Sequence, residues 1–331
     1  MQVQCIHRFG GPEVFESAEL PLPQPGPGQV RVRQIASSVN PVDFKLRQHG
    51  PSIAPALPAV LGCDIAGVID AVGAQVQGFA VGDRVYGCGG GVRGMAGAYA
   101  EQVVTDPDLL APAPRTLPLR AAAALPLVGI TAWEGLQRAG VGVGSRVLVL
   151  GGSGGVGHVV VQLAAAWGAE VTATASTPDR AALLRTLGAG HVLDHRSADY
   201  ASQLASAAGA GFDIVFDSTG GADPAIAFGA ARNNGQVVLI VAGFTADLAP
   251  MHAKGLSLHV VFMPLPMLTG QGRAEHGRIL RGLAALVDAG RLRPVLDPRR
   301  FSLGEVALAH VALEAGGVTG KLVIDIGSED P

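Results

Sequence analysis

RVLVLGGSGGVGHVVVQLAAAWGA, residues 146–169, is the stretch that decides the fold. Val147 to Leu150 is a short β run, a glycine-rich turn follows, and an apolar helix opens at once. Val147 to Ala169 contains no Asp, Glu, Lys or Arg, which resembles a membrane span. GGSGGVG breaks it in the middle, where a spanning helix needs continuity. The reading is therefore strand, loop and helix in a soluble, cytoplasmic protein. Gly152-Ser153-Gly154-Gly155-Val156-Gly157 fits G-x-G-x-x-G in the context that gives the motif meaning. The first glycine is expected to make the tight turn. The second lets a pyrophosphate approach the backbone, and the third lets helix and strand pack closely. The helix N-terminus then offers N–H groups and partial positive charge to phosphates.

Outward from this stretch the pattern repeats. EVTATAS, HVLDH, FDIVFDSTG, GQVVLIVAGF and LSLHVVFM read as further strands, separated by the helices PDRAALLRTLGA, SADYASQLASAAG and ADPAIAFGAAR. With RVLVL this predicts an α/β unit, a doubly wound six-stranded Rossmann domain over 124–266. Residues 1–123 are strand-rich: QVRVRQIASSVN alternates, GCDIAGVIDAVG is a buried-looking run, and PLPQPGPG at 21–28 is a rigid extended loop. They predict a compact, partly closed β domain. After 266 come a long helix, HGRILRGLAALVDAG, and a last strand, GKLVIDI. That strand lies too far from the alternating series to extend it, so 267–331 is expected to return to the first domain.

The bulk numbers agree. Of 331 residues, 48% are hydrophobic and 15% charged, enough for sizeable cores. A net charge of −3 without a basic block disfavours nucleic acid as a partner. Cys5, Cys63 and Cys88 are too scattered for a disulfide framework, and MQVQCIHRFGG lacks a signal-peptide core. Lys45, Lys254 and Lys321 are the three lysines, so each can be weighed individually.

The end of the second Rossmann strand chooses the dinucleotide. NAD binders place Asp or Glu about 20 residues beyond the loop. Here TATAS puts Ser176 there, and Arg180 follows one turn into the next helix. A small residue with a nearby cation suits a 2′-phosphate, and His195 after the third strand can reach the same group. NADPH is favoured over NADH. Val241, Ala242 and Gly243, near the end of the fifth strand, join the expected cofactor contacts.

SVNPVDFK (38–45), LGCDIAG (61–67), VGDRV (81–85), LPLVGITAWEGL (125–136), GGSGGVG (151–157) and TGKLVI (319–324) together resemble the medium-chain dehydrogenase/reductase superfamily. The branch resembled is the zinc-free quinone oxidoreductase and enone reductase group. The resemblance implies a GroES-like, partly open β-barrel catalytic domain beside the Rossmann domain. Zinc enzymes of the superfamily place three metal ligands where this chain has Asn40, Cys63 and Leu127, so no metal is expected and Cys63 reads as a packing residue. What remains is NADPH-dependent hydride transfer to a small molecule, a quinone or the activated C=C bond of an α,β-unsaturated carbonyl compound. The implied catalytic residues are Asn40, Asp43 and Lys45, with Thr131 beside the nicotinamide. Phe44, Leu127, Trp133, Phe244, Phe262 and Met263 are the expected substrate walls, and LSLHVVFM is expected to pair with its twin in a homodimer. The competing readings are a relic of a zinc alcohol dehydrogenase and a non-catalytic NADPH-binding structural or sensor protein.

Overall fold

The computed structural model describes residues 1–221 and 224–329. The first two residues of the expected helix ADPAIAFGAAR, Ala222 and Asp223, lie outside the described residues. The chain divides into two compact units, residues 1–130 with 264 onward, and residues 131–263.

The first unit begins with β1 (Gln2–Ile6), β2 (Phe15–Glu19), β3 (Val30–Ser38), helix α1 (Pro41–His49), β4 (Ala59–Val60), β5 (Asp64–Val72), β6 (Arg84–Cys88), β7 (Gln102–Thr105), β8 (Leu110–Pro112) and α2 (Leu119–Ala122). β1 lies antiparallel between β2 and β4. β3 pairs antiparallel with β5 and β7, β5 with β6, and β6 with β8. The two-residue period of the strands sends Val30, Val32, Ile65, Ile69, Val85, Val103 and Leu110 into one core cluster.

The second unit follows helix α3 (Pro126–Arg138), inside which the chain passes between units. It holds β9 (Arg146–Leu150), α4 (Gly157–Ala166), β10 (Glu170–Ala175), α5 (Pro178–Thr186), β11 (His191–Asp194), α6 (Tyr200–Ala208), β12 (Phe212–Asp217), α7 (Ala225–Ala230), β13 (Ala231–Leu239), α8 (Ala249–Lys254) and β14 (Ser257–Val260). Among the described residues the strands form a six-stranded parallel sheet in the order β11-β10-β9-β12-β13-β14. The order reverses between β9 and β12. In such sheets that reversal opens a crevice at the strand C-termini where ligands bind.

The chain then returns to the first unit through α9 (Leu265–Thr269), α10 (Arg273–Asp288), β15 (Phe301–Ser302), α11 (Val306–Glu314) and β16 (Val323–Asp325). α10 buries Ile279, Leu280, Leu283 and Val287, a stripe at helical spacing. β16 runs antiparallel to the end of β3, with Val323 opposite Ser38 and Asp325 opposite Ala36. This pairing carries residues 319–324 back to the first unit and sets the register of everything that follows.

Candidate active site

The glycine loop leaves β9 and enters α4. Its left-handed residue is Gly151, at φ 75°, one position before the glycine expected to make the turn. Gly151 N–H donates to Thr174 Oγ1 at 2.9 Å, and Ser218 Oγ donates to the Leu150 carbonyl at 2.6 Å, so β10 and the residue that follows β12 both hold the turn. Gly152 serves packing instead: a Cβ there would stand 3.0 Å from Ala173 Cβ and 3.2 Å from the Leu184 methyls. At Gly157 a Cβ would lie 2.2 Å from the Gly151 carbonyl oxygen, a contact that only glycine avoids. Val156, the N-cap of α4, supplies no side-chain cap, and the first turn closes on the loop itself: His158 and Val159 N–H donate to the Gly154 and Val156 carbonyls, while the N-terminal end of the helix dipole still faces the loop. A dinucleotide pyrophosphate fits this cradle of bare backbone and helix N-terminus. Ser153 is buried, and Gly154 and Gly155 are half-buried in the loop. His158, unremarked in the sequence, is buried, and its Nδ1 donates back to the Gly154 carbonyl at 3.0 Å.

Beyond β10, Arg180 Nη1 donates to Ser176 Oγ at 2.9 Å. Thr177 caps α5 by accepting from Arg180 N–H. β10 and β11 are paired up to Ala175 opposite Asp194, and His195 N–H donates to the Ala175 carbonyl. Ser176, Arg180 and His195 thus gather at one corner; β10 itself ends without a carboxylate, while Asp194, ending the neighbouring β11, accepts from Arg196 N–H at 2.9 Å. Val241 lies beside Gly220, so the loops after β12 and β13 adjoin. Ala242 and Gly243 are exposed in the same loop.

In the first unit the polar residues meet where β3 turns into α1. Asp43 Oδ2 accepts from Asn40 N–H at 2.8 Å, the return half of a capping box. The Asn40 carboxamide faces inward at both ends. Its Nδ2 donates to Asp64 Oδ2 at 2.8 Å, and its Oδ1 accepts from Lys321 Nζ. Lys321 also donates to the Val39 carbonyl at 3.0 Å and lies 3.7 Å from Asp64 Oδ2. Asp64 accepts further from Ser38 Oγ and from Leu127 N–H, the latter at 2.8 Å. Ser38, Asn40, Asp43 and Asp64 have no exposed surface, and Lys321 is 3% exposed. Burial pulls the Lys321 ammonium below its usual range, while Asp64 and Asp43 oppose that. Burial pushes the Asp43 carboxyl up to about 6 against the Asn40 N–H bond. A chain of hydrogen bonds continues outward. Tyr99 Oη donates to Asp43 at 3.2 Å, His310 Nε2 to Tyr99 at 3.2 Å, and Arg47 Nη1 to His310 Nδ1 at 3.3 Å. Glu314 closes it with a 2.6 Å ion pair to Arg47.

The other expected residues are dispersed. Lys45 is exposed on α1, between the buried Asp43 and Arg47 of the network, and Phe44 beside it is half-buried. Leu127 and Thr131 are buried on α3. Trp133 makes a T-shaped pair with Trp167 at 4.9 Å, and Phe244 packs on the core around Phe212 and Phe228. Met263 is buried and Phe262 is 44% exposed. Asn40, an expected catalytic residue, has its carboxamide bound on both sides within the first unit.

Zinc does not fit the first unit. The positions that resemble ligand sites offer a carboxamide bound at both ends, a leucine and the Cys63 thiol. A hydrogen bond with Cys88, then burial, push that thiol well above its usual range. Zinc takes thiolate, imidazole or carboxylate. Among the described residues no group of three or more His, Cys, Asp or Glu could hold a metal ion. The positive charge in this cluster belongs to Lys321.

Residues 26–115 match the alcohol dehydrogenase GroES-like domain family, and residues 187–324 the zinc-binding dehydrogenase family. The chain is 34% identical to the 2-methylene-furan-3-one reductase of Solanum lycopersicum over 96% of this chain and 76% of that protein. It is 30% identical to the quinone oxidoreductase of Sus scrofa over 96% of both. It is 33% identical to the chloroplastic NADPH-dependent alkenal/one oxidoreductase of Arabidopsis thaliana over 98% of this chain and 79% of that one. An alcohol dehydrogenase superfamily protein from Novosphingobium aromaticivorans superposes with a TM-score of 0.90 at 41% identity, covering 98% of this chain and 99% of that one. The chain belongs to the medium-chain dehydrogenase/reductase superfamily, in the oxidoreductase branch of quinone oxidoreductases and enone reductases.

Proposed function

We propose that this chain is an NADPH-dependent, metal-free reductase of quinones or of activated C=C bonds in α,β-unsaturated carbonyl compounds. The observation that carries the reading is the acid-free end of β10, where Arg180 rests on Ser176. A ribose 2′-phosphate there meets a guanidinium and a hydroxyl, whereas a carboxylate would repel it. The relatives named for quinone and alkenal/one substrates give the acceptor class.

In this reading Gly152 to Gly157 hold the pyrophosphate, and Ser176, Arg180 and His195 the 2′-phosphate. Thr131 and Val241 to Gly243 flank the rest of the cofactor. When bound, the nicotinamide supplies a hydride from C4. Conjugate addition moves negative charge onto the carbonyl oxygen as an enolate, which aimed donors stabilise without a metal Lewis acid. Lys45 is the donor proposed here, since α1 presents its ammonium outside the buried network. Asn40 and Asp43 fix the start of that helix. Phe44, Leu127, Trp133, Phe244, Phe262 and Met263 remain proposed apolar contacts of the acceptor. The reading places the chain in the cytoplasm; no helix among the described residues is long and apolar enough to cross a membrane. It also proposes a homodimer: β14 is an edge strand whose Leu258 and Val260 are 36% and 42% exposed, a surface a second copy would cover.

Initial rates of NADPH and NADH oxidation across quinones, alkenals and alkenones test the proposal. Turnover with NADPH on at least one of these acceptors is expected. Tight NADPH binding with no turnover on any would overturn it in favour of a binding protein. A monomer by light scattering would remove the dimer.

A further inference from the structure

We propose that the Lys321 ammonium is a positioning cation, organising the β3–α1 turn beside Asn40, one of the positions that resemble zinc-ligand sites. Three strand or helix starts and one turn meet at it. Lys321 reaches the Val39 carbonyl and Asn40 Oδ1 from the turn before β16. Asp64, at the start of β5, answers with one oxygen toward Lys321, Asn40 and Ser38 and the other toward Leu127 N–H at the start of α3. A divalent metal would join such segments through its own ligands. Here a single buried charge does so through donated hydrogen bonds, and Asp64 balances it. Cys63 and Cys88 lie within electrostatic reach of the same ammonium. They need not ionise, because no metal asks for a thiolate. A buried ammonium without its carboxylate is strongly unfavourable, so the two charges stand or fall together.

The inference rests on the reductase reading for its kinetic consequence, and on the structure alone for its physical one. Lys321→Met leaves Asp64 buried without its counter-charge and is expected to lower Tm. Asp64→Asn with Lys321→Met removes both charges at nearly constant shape, so Tm is expected to recover toward wild type. Hydrogen exchange at the amides of residues 38–43 in this double variant is expected to quicken roughly tenfold or more, because the turn has lost its ammonium donor. Acceptor kcat is expected to fall roughly 10–100-fold, as for the loss of a group that orients a site. Lys321→Arg keeps the charge and is expected to restore part of the exchange protection. The NADPH dissociation constant should stay within about twofold, since the glycine loop is untouched. Unchanged exchange at residues 38–43 in a folded double variant would overturn the inference, and so would stoichiometric zinc binding by the wild type that is lost in Cys63→Ser. If the wild type turns over no quinone or enone, the reductase reading fails, and the exchange and zinc measurements still decide the role of Lys321.

Discussion

A methyl group at Gly157 would meet the Gly151 carbonyl oxygen at 2.2 Å, and backbone on both sides gives it nowhere to go. Gly157→Ala should therefore shift the turn by a good fraction of an ångström and weaken NADPH binding roughly 10–100-fold, read by fluorescence titration. Wild-type affinity would show that phosphates do not use this loop. Arg180→Ala should cost NADPH about 1.5–3 kcal/mol, a charge-assisted bond, and leave NADH nearly unaffected. Equal losses for both cofactors would take Arg180 out of the phosphate site. Two buried groups set opposite pH trends. His310, packed against Arg47, Tyr99 and the Phe15 ring, is held down to about 3 by burial and then by Arg47. Between about 6.5 and 3 the unfolded chain takes a proton that the folded chain refuses, so this contribution is complete above the window and is lost as pH falls. Asp43 keeps its proton up to about 6 in the folded chain, so its contribution favours folding on the acid side and is lost as pH rises toward 6. Calorimetry at pH 7 and pH 5 should show His310→Gln losing less Tm than wild type on acidification and Asp43→Asn losing more. The reverse order would contradict both assignments.

Among the elements, α3 shows why small residues recur in VGITAWEG. A Cβ on Gly135 would lie 2.5 Å from the Phe216 ring and 2.9 Å from Val238, while one on Gly129 would lie 2.5 Å from Leu283. The helix thus uses one glycine toward the β12–β13 face of its sheet and the other toward α10. Gly135→Ala overfills that contact and should destabilise by about 1–3 kcal/mol, measured by urea unfolding. A neutral result would mean the ring simply swings aside. The strand, loop and helix of 146–169 were readable because their signals are local: an apolar β run, glycines at fixed offsets, and an apolar helix. The same holds for the return of GKLVIDI, a lone strand with no neighbour in sequence. What pattern could not supply is register. Lys321 meets Asn40 across 281 positions, through the pairing of β16 with β3, and no periodicity encodes that meeting. The scarcity of lysine was the available signal, and it drew attention to Lys45 rather than to the buried residue. Trp133 fared similarly: its aromatic character was legible, its partner Trp167 was not.

At the scale of the whole molecule, the proposed NADPH corner at the acid-free end of β10 and the proposed positioning role of Lys321 belong to one reading. In that reading the cofactor supplies the electrons, and fixed organic charge does the organising that a metal does in the zinc enzymes. That pairing favours reduction of a polarised double bond or quinone over oxidation of an alcohol, whose alkoxide usually needs a Lewis acid. The most direct test is steady-state NADPH oxidation with a panel of alkenones, alkenals and quinones, before and after exhaustive chelation. The account predicts turnover with at least one acceptor, a clear preference for NADPH over NADH, and rates unchanged by chelation. Inactivity toward every acceptor, together with alcohol oxidation that chelation abolishes and zinc restores, would contradict it.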